Sequence, residues 1–200
     1  MQLFSASKIY QKSNNNSLIF LKNPALKFVL LFIPSVVLWF TFYTYAYKID
    51  MLFGFNFDSL TLISKILSQQ SNFILNAIGF NATTEVEGKI VISKVLNYNY
   101  NHGVWIGEPC NGVKIFGLFS IFIMCFKGNI KSKFWFIPIG IITIHFLNVF
   151  RIATLAVIAA INPFLLNFNH NVTFQIIIYG TMLLLWFFWI KKFSKIKTRE

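Results

Sequence analysis

The stretch Gly107-Glu108-Pro109-Cys110-Asn111-Gly112-Val113-Lys114 stands where a polar, Tyr- and Asn-rich segment gives way to a long apolar run. Proline kinks or breaks a helix interior but fits the first turn, where the missing N–H would be unpaired anyway. Pro109 therefore predicts a helix start, with Cys110 in the opening turn of a membrane helix at the water interface. Free N–H groups and the positive end of the helix dipole favour a thiolate there. Lys114, one turn on, adds a cation on the same side. The stretch reads as an activated cysteine.

The membrane setting follows from composition. Of the 200 residues, 56% are hydrophobic and 18% aromatic, and the mean hydropathy is +0.63. A soluble domain of this size needs far more polar surface. Charged residues make up 12%, yet the net charge is +12. A nucleic-acid binder would gather such charge into a patch, whereas here the cations fall between apolar runs, which argues against nucleic acid as a partner. The N-terminus is polar and Asn-rich, without the short apolar core of a signal peptide, so no cleavable signal is expected. Cys110 and Cys125 fall on one expected helix, about 22 Å apart, beyond disulfide reach.

Outward from that stretch, the chain divides into a basic tail (1–25), a single membrane-embedded domain (26–190) and a second basic tail (191–200). Apolar runs predict four spans, at about 26–47, 110–127, 134–160 and 172–190. Tyr43, Tyr45 and Tyr47 would form an aromatic belt at the end of the first. The region 48–109 lies outside the bilayer. In it, Asp58 is a plausible N-cap for an amphipathic helix running to Gly79, with Leu60, Ile63, Leu67, Ile74 and Ile78 opposite Lys65, Gln69, Gln70 and Asn76. The block Ser68-Gln69-Gln70-Ser71-Asn72 suits an interfacial helix better than a spanning one, though 59–79 as a further span stays open. Thr83 to Ile92 is β-branched and partly alternating around Gly88, which suggests a small hairpin or an ordered covering loop. The fold class is thus an all-α integral membrane protein with an interfacial helix and a small extracytoplasmic hairpin.

Four spans put both termini and the 127–133 loop on one side. Twelve of the 18 Lys and Arg residues lie there, while five of the six acids lie opposite. By the positive-inside rule the termini are cytoplasmic and Cys110 faces outward.

Arg151 then comes to the outer interface, about 25 Å along the third span from Phe134. His145, Asn148 and Arg151, spaced i, i+3, i+6, form one polar stripe on an otherwise apolar helix. Such groups usually face the protein interior, although a snorkelling anchor is the other reading of Arg151. His145 lies deeper and reads as structural, bonded to another helix. His170 precedes the last span in the outer connection Asn167-Phe168-Asn169-His170-Asn171. Cys110, Arg151 and His170 thus sit at three helix ends on one face, a set that matches nucleophile, anion stabiliser and base. His102 competes with His170 as the base. Cys125, among Phe and Met, reads as an inert packing residue.

The motifs carry a resemblance. Glu108-Pro109-Cys110-Asn111-Gly112-Val113-Lys114 is similar to the Glu-x-Cys-Ser-Gly-apolar-basic signature of the exosortase/archaeosortase family. Asn148-Val149-Phe150-Arg151-Ile152 resembles that family's Asn-x-x-Arg-apolar motif, and His170 falls where the exosortase branch carries its His. The motifs come in family order and cover roughly residues 100–185. Asn111 replaces the usual Ser, and the chain resembles the short exosortase forms of Gram-negative bacteria.

The resemblance implies a membrane-embedded cysteine transpeptidase of the bacterial inner membrane, with its active site on the periplasmic face. Cys110 would form a thioester, His170 would act as acid and base, and Arg151 would stabilise thiolate or oxyanion. Glu108, Asn111, Gly112, Lys114 and Asn148 would support them. The substrates would be exported proteins with a C-terminal tail of short motif, spanning helix and basic end. An amine or lipid would be the acceptor. No metal or organic cofactor is implied. A non-enzymatic membrane assembly or export factor is the alternative, in which Cys110 is structural. A thiol oxidoreductase is disfavoured, because no second cysteine lies within reach of Cys110.

Overall fold

The computed structural model describes residues 23–53, 59–88, 90–98, 100, 102–107 and 110–193, with side chains for all of these but 46–53 and 59–60. The basic runs before Asn23 and after Phe193, and the caps assigned to Asp58 and Pro109, lie outside the described residues. The chain is mostly helical. Helix α1 covers Pro24–Phe53, α2 Ser59–Ala77, α3 Val113–Cys125, α4 Ile130–Ile161 and α5 Phe174–Phe193. Three strands lie between α2 and α3: β1 Ala82–Glu87, β2 Ile90–Val95 and β3 Gly103–Trp105. They form an antiparallel sheet in the order β1-β2-β3, with Val86 opposite Val91 and Ser93 opposite Val104.

Among the described residues, three helical stretches are long and apolar enough to cross a membrane: Pro24–Tyr45, Ile130–Ile161 and Pro163–Phe193. The fourth expected span, 110–127, contains only the 13-residue α3. At 1.5 Å per residue that is about 20 Å, short of a hydrocarbon core. The sequence explains the shortening. Gly112 adopts φ 79 and breaks the chain before Val113, and Phe126 is extended at the other end. The last span is also longer than its apolar run. A 3₁₀ turn at Pro163–Leu165, one α turn at Leu166–Phe168 and a π turn at Asn169–Thr173 lead without interruption into α5. The connection expected at 162–171 is therefore mostly helical.

At one end of α4 the helices meet through aromatic rings. Phe122 of α3 stacks on Trp186 of α5 with centroids 4.0 Å apart, and Phe136 of α4 lies 5.1 Å from Trp189. Phe28 and Phe32 of α1 close the cluster against Phe122. Gly140 lets α3 and α4 approach, because a Cβ there would sit 2.1 Å from the Phe119 ring. Lys133 is buried in the first turn of α4 and donates from Nζ to the Met124 carbonyl, 2.7 Å away. A cation thus meets the orphan carbonyls at the α3 C-terminus.

Helix α2 keeps only part of the expected amphipathicity: Leu67 is buried and Lys65, Gln69, Gln70 and Asn76 are exposed, but Ile74 faces outward too. Its buried face is Ser64, Leu67, Ser68, Ser71, Asn72 and Leu75, while Phe73 is 76% exposed and Ile78 is 65% exposed. The polar side chains face inward because they have partners there. Ser68 and Asn72 meet Thr84 of β1, Asn72 accepts from Ser93 of β2, and Ser71 donates to the Val149 carbonyl of α4. The sheet thus docks on α2 and α4, and that places β3 and the loop after it against the polar stripe of α4. The aromatic belt changes too: Tyr43 is buried, Tyr45 is exposed, and the Tyr47 side chain lies outside the described residues.

Candidate active site

Cys110 lies in a 3₁₀ turn between β3 and α3, ahead of the opening turn of α3. Its N–H closes a tight turn on the Gly107 carbonyl at 2.9 Å. Two further residues pass before α3 begins, since Asn111-Gly112 forms a turn of its own. Asn111 accepts from the Val113 N–H at 3.1 Å and donates to the Tyr43 hydroxyl at 3.3 Å. That second bond ties the loop to α1. Asn148 of α4 donates from Nδ2 to the Cys110 carbonyl at 2.7 Å. Gly112 permits this twice over, by its positive φ and because a Cβ would come within 2.8 Å of Asn148 Nδ2. The backbone of the cysteine is thus held by two bonds, its N–H to the Gly107 carbonyl and its carbonyl to Asn148.

His170 sits in the π turn, and its Nε2 is 3.0 Å from Cys110 Sγ across 60 residues of sequence. Its other ring nitrogen, Nδ1, is 2.9 Å from Asn171 Oδ1. Arg151, one turn beyond Asn148 on α4, is 3% exposed. It donates from Nη2 to the His170 carbonyl at 3.3 Å, and its Nε has no hydrogen-bond partner among the described residues. A buried guanidinium with a spare donor can receive developing negative charge.

The Cys110 thiol is nevertheless not the depressed one that a helix start would give. Burial pushes its pKa above the ordinary value, outweighing the Arg151 cation and a Gly107 backbone hydrogen bond, which both lower it. Cys110 is only 5% exposed, and its Sγ shares a hydrogen bond with the His170 ring. Such a pair can transfer a proton when a reaction calls for it.

The structure thus brings Cys110, Arg151, His170, Asn148, Asn111 and Gly112 together. Lys114 Nζ lies over the ring of Tyr43, the residue that bonds Asn111, 4.9 Å from the centroid. Glu108 lies outside the described residues. His102 is exposed at the start of β3 and stacks on Tyr100, so His170 is the histidine that meets the thiol. His145 bonds to Gln70 of α2 at 2.8 Å, a tie between two helices. Cys110 and Cys125 are both free. Asn171 and Tyr43 are the site residues that sequence reasoning missed. No protein-family model matches the chain, and neither does any curated protein or solved structure.

Proposed function

We propose that the protein is an exosortase-like cysteine transpeptidase that cleaves a C-terminal sorting tail from exported proteins. The observation that carries this is the 3.0 Å pairing of Cys110 Sγ with His170 Nε2 beside a buried arginine. The Cys110 thiol proton passes to Nε2 as sulfur adds to the carbonyl carbon of the scissile peptide. Arg151 faces the oxyanion that forms. The C–N bond breaks, and His170 returns its proton to the departing amine of the tail. The remaining thioester is attacked by an amine or lipid acceptor, which gives its proton to His170 and restores the thiol.

Charge sorting supports cytoplasmic termini and a site on the periplasmic face of a bacterial inner membrane. In this arrangement α3 and its flanking loops serve as the fourth crossing, and the sheet lies outside. The tail's spanning helix would approach through lipid, and its basic end would stay with the cytoplasmic cations.

One observation favours a non-enzymatic assembly or export factor: Cys110 is buried with its thiol pushed up, as a packing cysteine would be. Replacing Cys110 by Ala in the producing cell separates the two. A transpeptidase variant leaves exported proteins carrying their C-terminal tails, as read by mass spectrometry of the membrane fraction. Tails removed as in the wild type would refute the enzymatic reading.

A further inference from the structure

We infer that Asn171 is a positioning residue that fixes the tautomer of His170, leaving Nε2 as the acceptor that faces Cys110. This rests on the reading of His170 as the base. A neutral imidazole carries one proton, and which nitrogen holds it is set by the partner of the other. A base must present a bare nitrogen to the thiol. Here Nδ1 is 2.9 Å from Asn171 Oδ1, and an amide oxygen only accepts, so Nδ1 must carry the proton.

The amide could in principle be turned to offer its NH₂ group, which would reverse the tautomer. Against that stands its second bond, in which Asn171 Nδ2 donates to Asn167 Oδ1 at 2.5 Å, so the reversed tautomer needs both amides to turn together. The order Asn167, Asn171, His170, Cys110 is therefore one chain of donors and acceptors with a single consistent direction. Once His170 takes the thiol proton, Nδ1–H remains paired with Asn171 Oδ1, so the imidazolium that forms keeps its partner. The same logic of nucleophile, imidazole and orienting amide recurs in cysteine enzymes of unrelated fold.

The π turn makes the contact possible. Successive side chains on an α-helix point about 100° apart, too far for neighbours to pair easily. The wider turn at Asn169–Thr173 brings His170 and its next residue within hydrogen-bond reach, a use that matches the clustering of such turns at functional sites. The Arg151 bond to the His170 carbonyl holds the backbone of the same turn. Asn171 itself is exposed, so shortening it opens no core cavity.

The chain has three histidines, so ¹⁵N-histidine labelling of the full-length protein in detergent resolves each ring by NMR. His102→Gln and His145→Gln variants assign the signals. At a pH where the rings are neutral, wild-type His170 is expected in the Nδ1–H form. Asn171→Ala should shift the tautomer ratio toward Nε2–H by roughly fivefold, the loss of one net hydrogen bond. Asn171→Asp, which keeps the acceptor, should hold the wild-type form. A wild-type ring protonated at Nε2, or a ratio unmoved in Asn171→Ala, overturns the inference.

Iodoacetamide alkylation of Cys110 in a Cys125→Ser background reads the consequence. Asn171→Ala should slow it by a similar roughly fivefold factor, and Asn171→Asp should restore it. Should the tautomer move while His170→Ala alkylates as fast as the wild type, the positioning role stands and the base assigned to the proposed reaction falls.

Discussion

The two ends of α4 are built on different physics. Around Phe136 and Gly140, helices meet through stacked rings, and the buried indole N–H groups of Trp186 and Trp189 have no partner among the described residues. Around Asn148 and Arg151, the contacts are hydrogen bonds of 2.7 and 3.3 Å to the carbonyls of Cys110 and His170. Ring packing supplies contact area without fixing any one atom, whereas a donor aimed at a carbonyl fixes position to a fraction of an ångström. The aromatic end holds the helices together. The polar end places atoms, as chemistry requires.

The sharpest way to break this comparison is a pair of variants, one at each end. His170→Ala should slow iodoacetamide alkylation of Cys110 at neutral pH by about 10²-fold, at the low end of what a positioned base contributes. Without the base, the reaction follows the thiol's own titration. Burial raises the thiol pKa above its ordinary value, so the profile should rise on the alkaline side of a free thiol's. Adding Arg151→Gln removes a cation that favours the thiolate, so the profile should move further alkaline. A profile that moves toward acid would contradict the burial argument. Phe119→Ala, at the other end, should leave that profile unchanged. Its cost should appear in thermal unfolding in detergent, at about 3 kcal/mol for a buried ring. A large loss of Cys110 reactivity in Phe119→Ala would mean that the two ends are not separable.

How much of this division can be read from the chain depends on which solvent and which local rule is assumed. The long apolar runs announce α1, α4 and α5, and the β-branched run around Gly88 announces the β1–β2 hairpin. Helix α2 is legible as a helix, and so are its outer residues Lys65, Gln69 and Gln70, but the inward turn of Ser68, Ser71 and Asn72 is not, because their partners lie on β1, β2 and α4. The third strand, Gly103–Trp105, is too short to show a period. At the site, Cys110, Asn148 and Arg151 stand out as polar residues in apolar company. The helix starts later than Pro109 predicts because Asn111-Gly112 is a dipeptide that marks turns. His170 lies among Asn167, Asn169 and Asn171, a composition that reads as a loop, yet Asn169 bonds back to the Leu165 carbonyl and the turn stays helical. Nothing in so asparagine-rich a run distinguishes Asn171 from its neighbours.

A milder test asks whether the polar end depends on its backbone. Gly112→Ala places a Cβ at φ 79 and within 2.8 Å of Asn148 Nδ2. The left-handed conformation alone costs a non-glycine residue about 1–2 kcal/mol. The contact with Asn148 adds to this or is relieved by breaking the bond to the Cys110 carbonyl. Relief should leave a modest drop in melting temperature together with slowed alkylation; without it, the drop should be larger and reactivity unchanged. An alanine variant as stable and as reactive as the wild type would mean that the loop is not held as described.

The smallest expected effect sharpens the comparison from the other side, because one directional contact exists even at the aromatic end. Lys133 Nζ reaches the Met124 carbonyl, where α3 ends. Lys133→Met keeps the length and most of the apolar stem but removes the donor. The loss should be about 1 kcal/mol, the value of one cation at a helix C-terminus. It should appear in thermal unfolding while the alkylation of Cys110 is untouched. The contrast with Gly112→Ala is then informative: two directional contacts of similar strength would differ in whether reactivity follows stability. If Lys133→Met also slowed alkylation, α3 would be transmitting the position of its C-terminus to the cysteine loop at its start, and the two ends of the bundle would act as one.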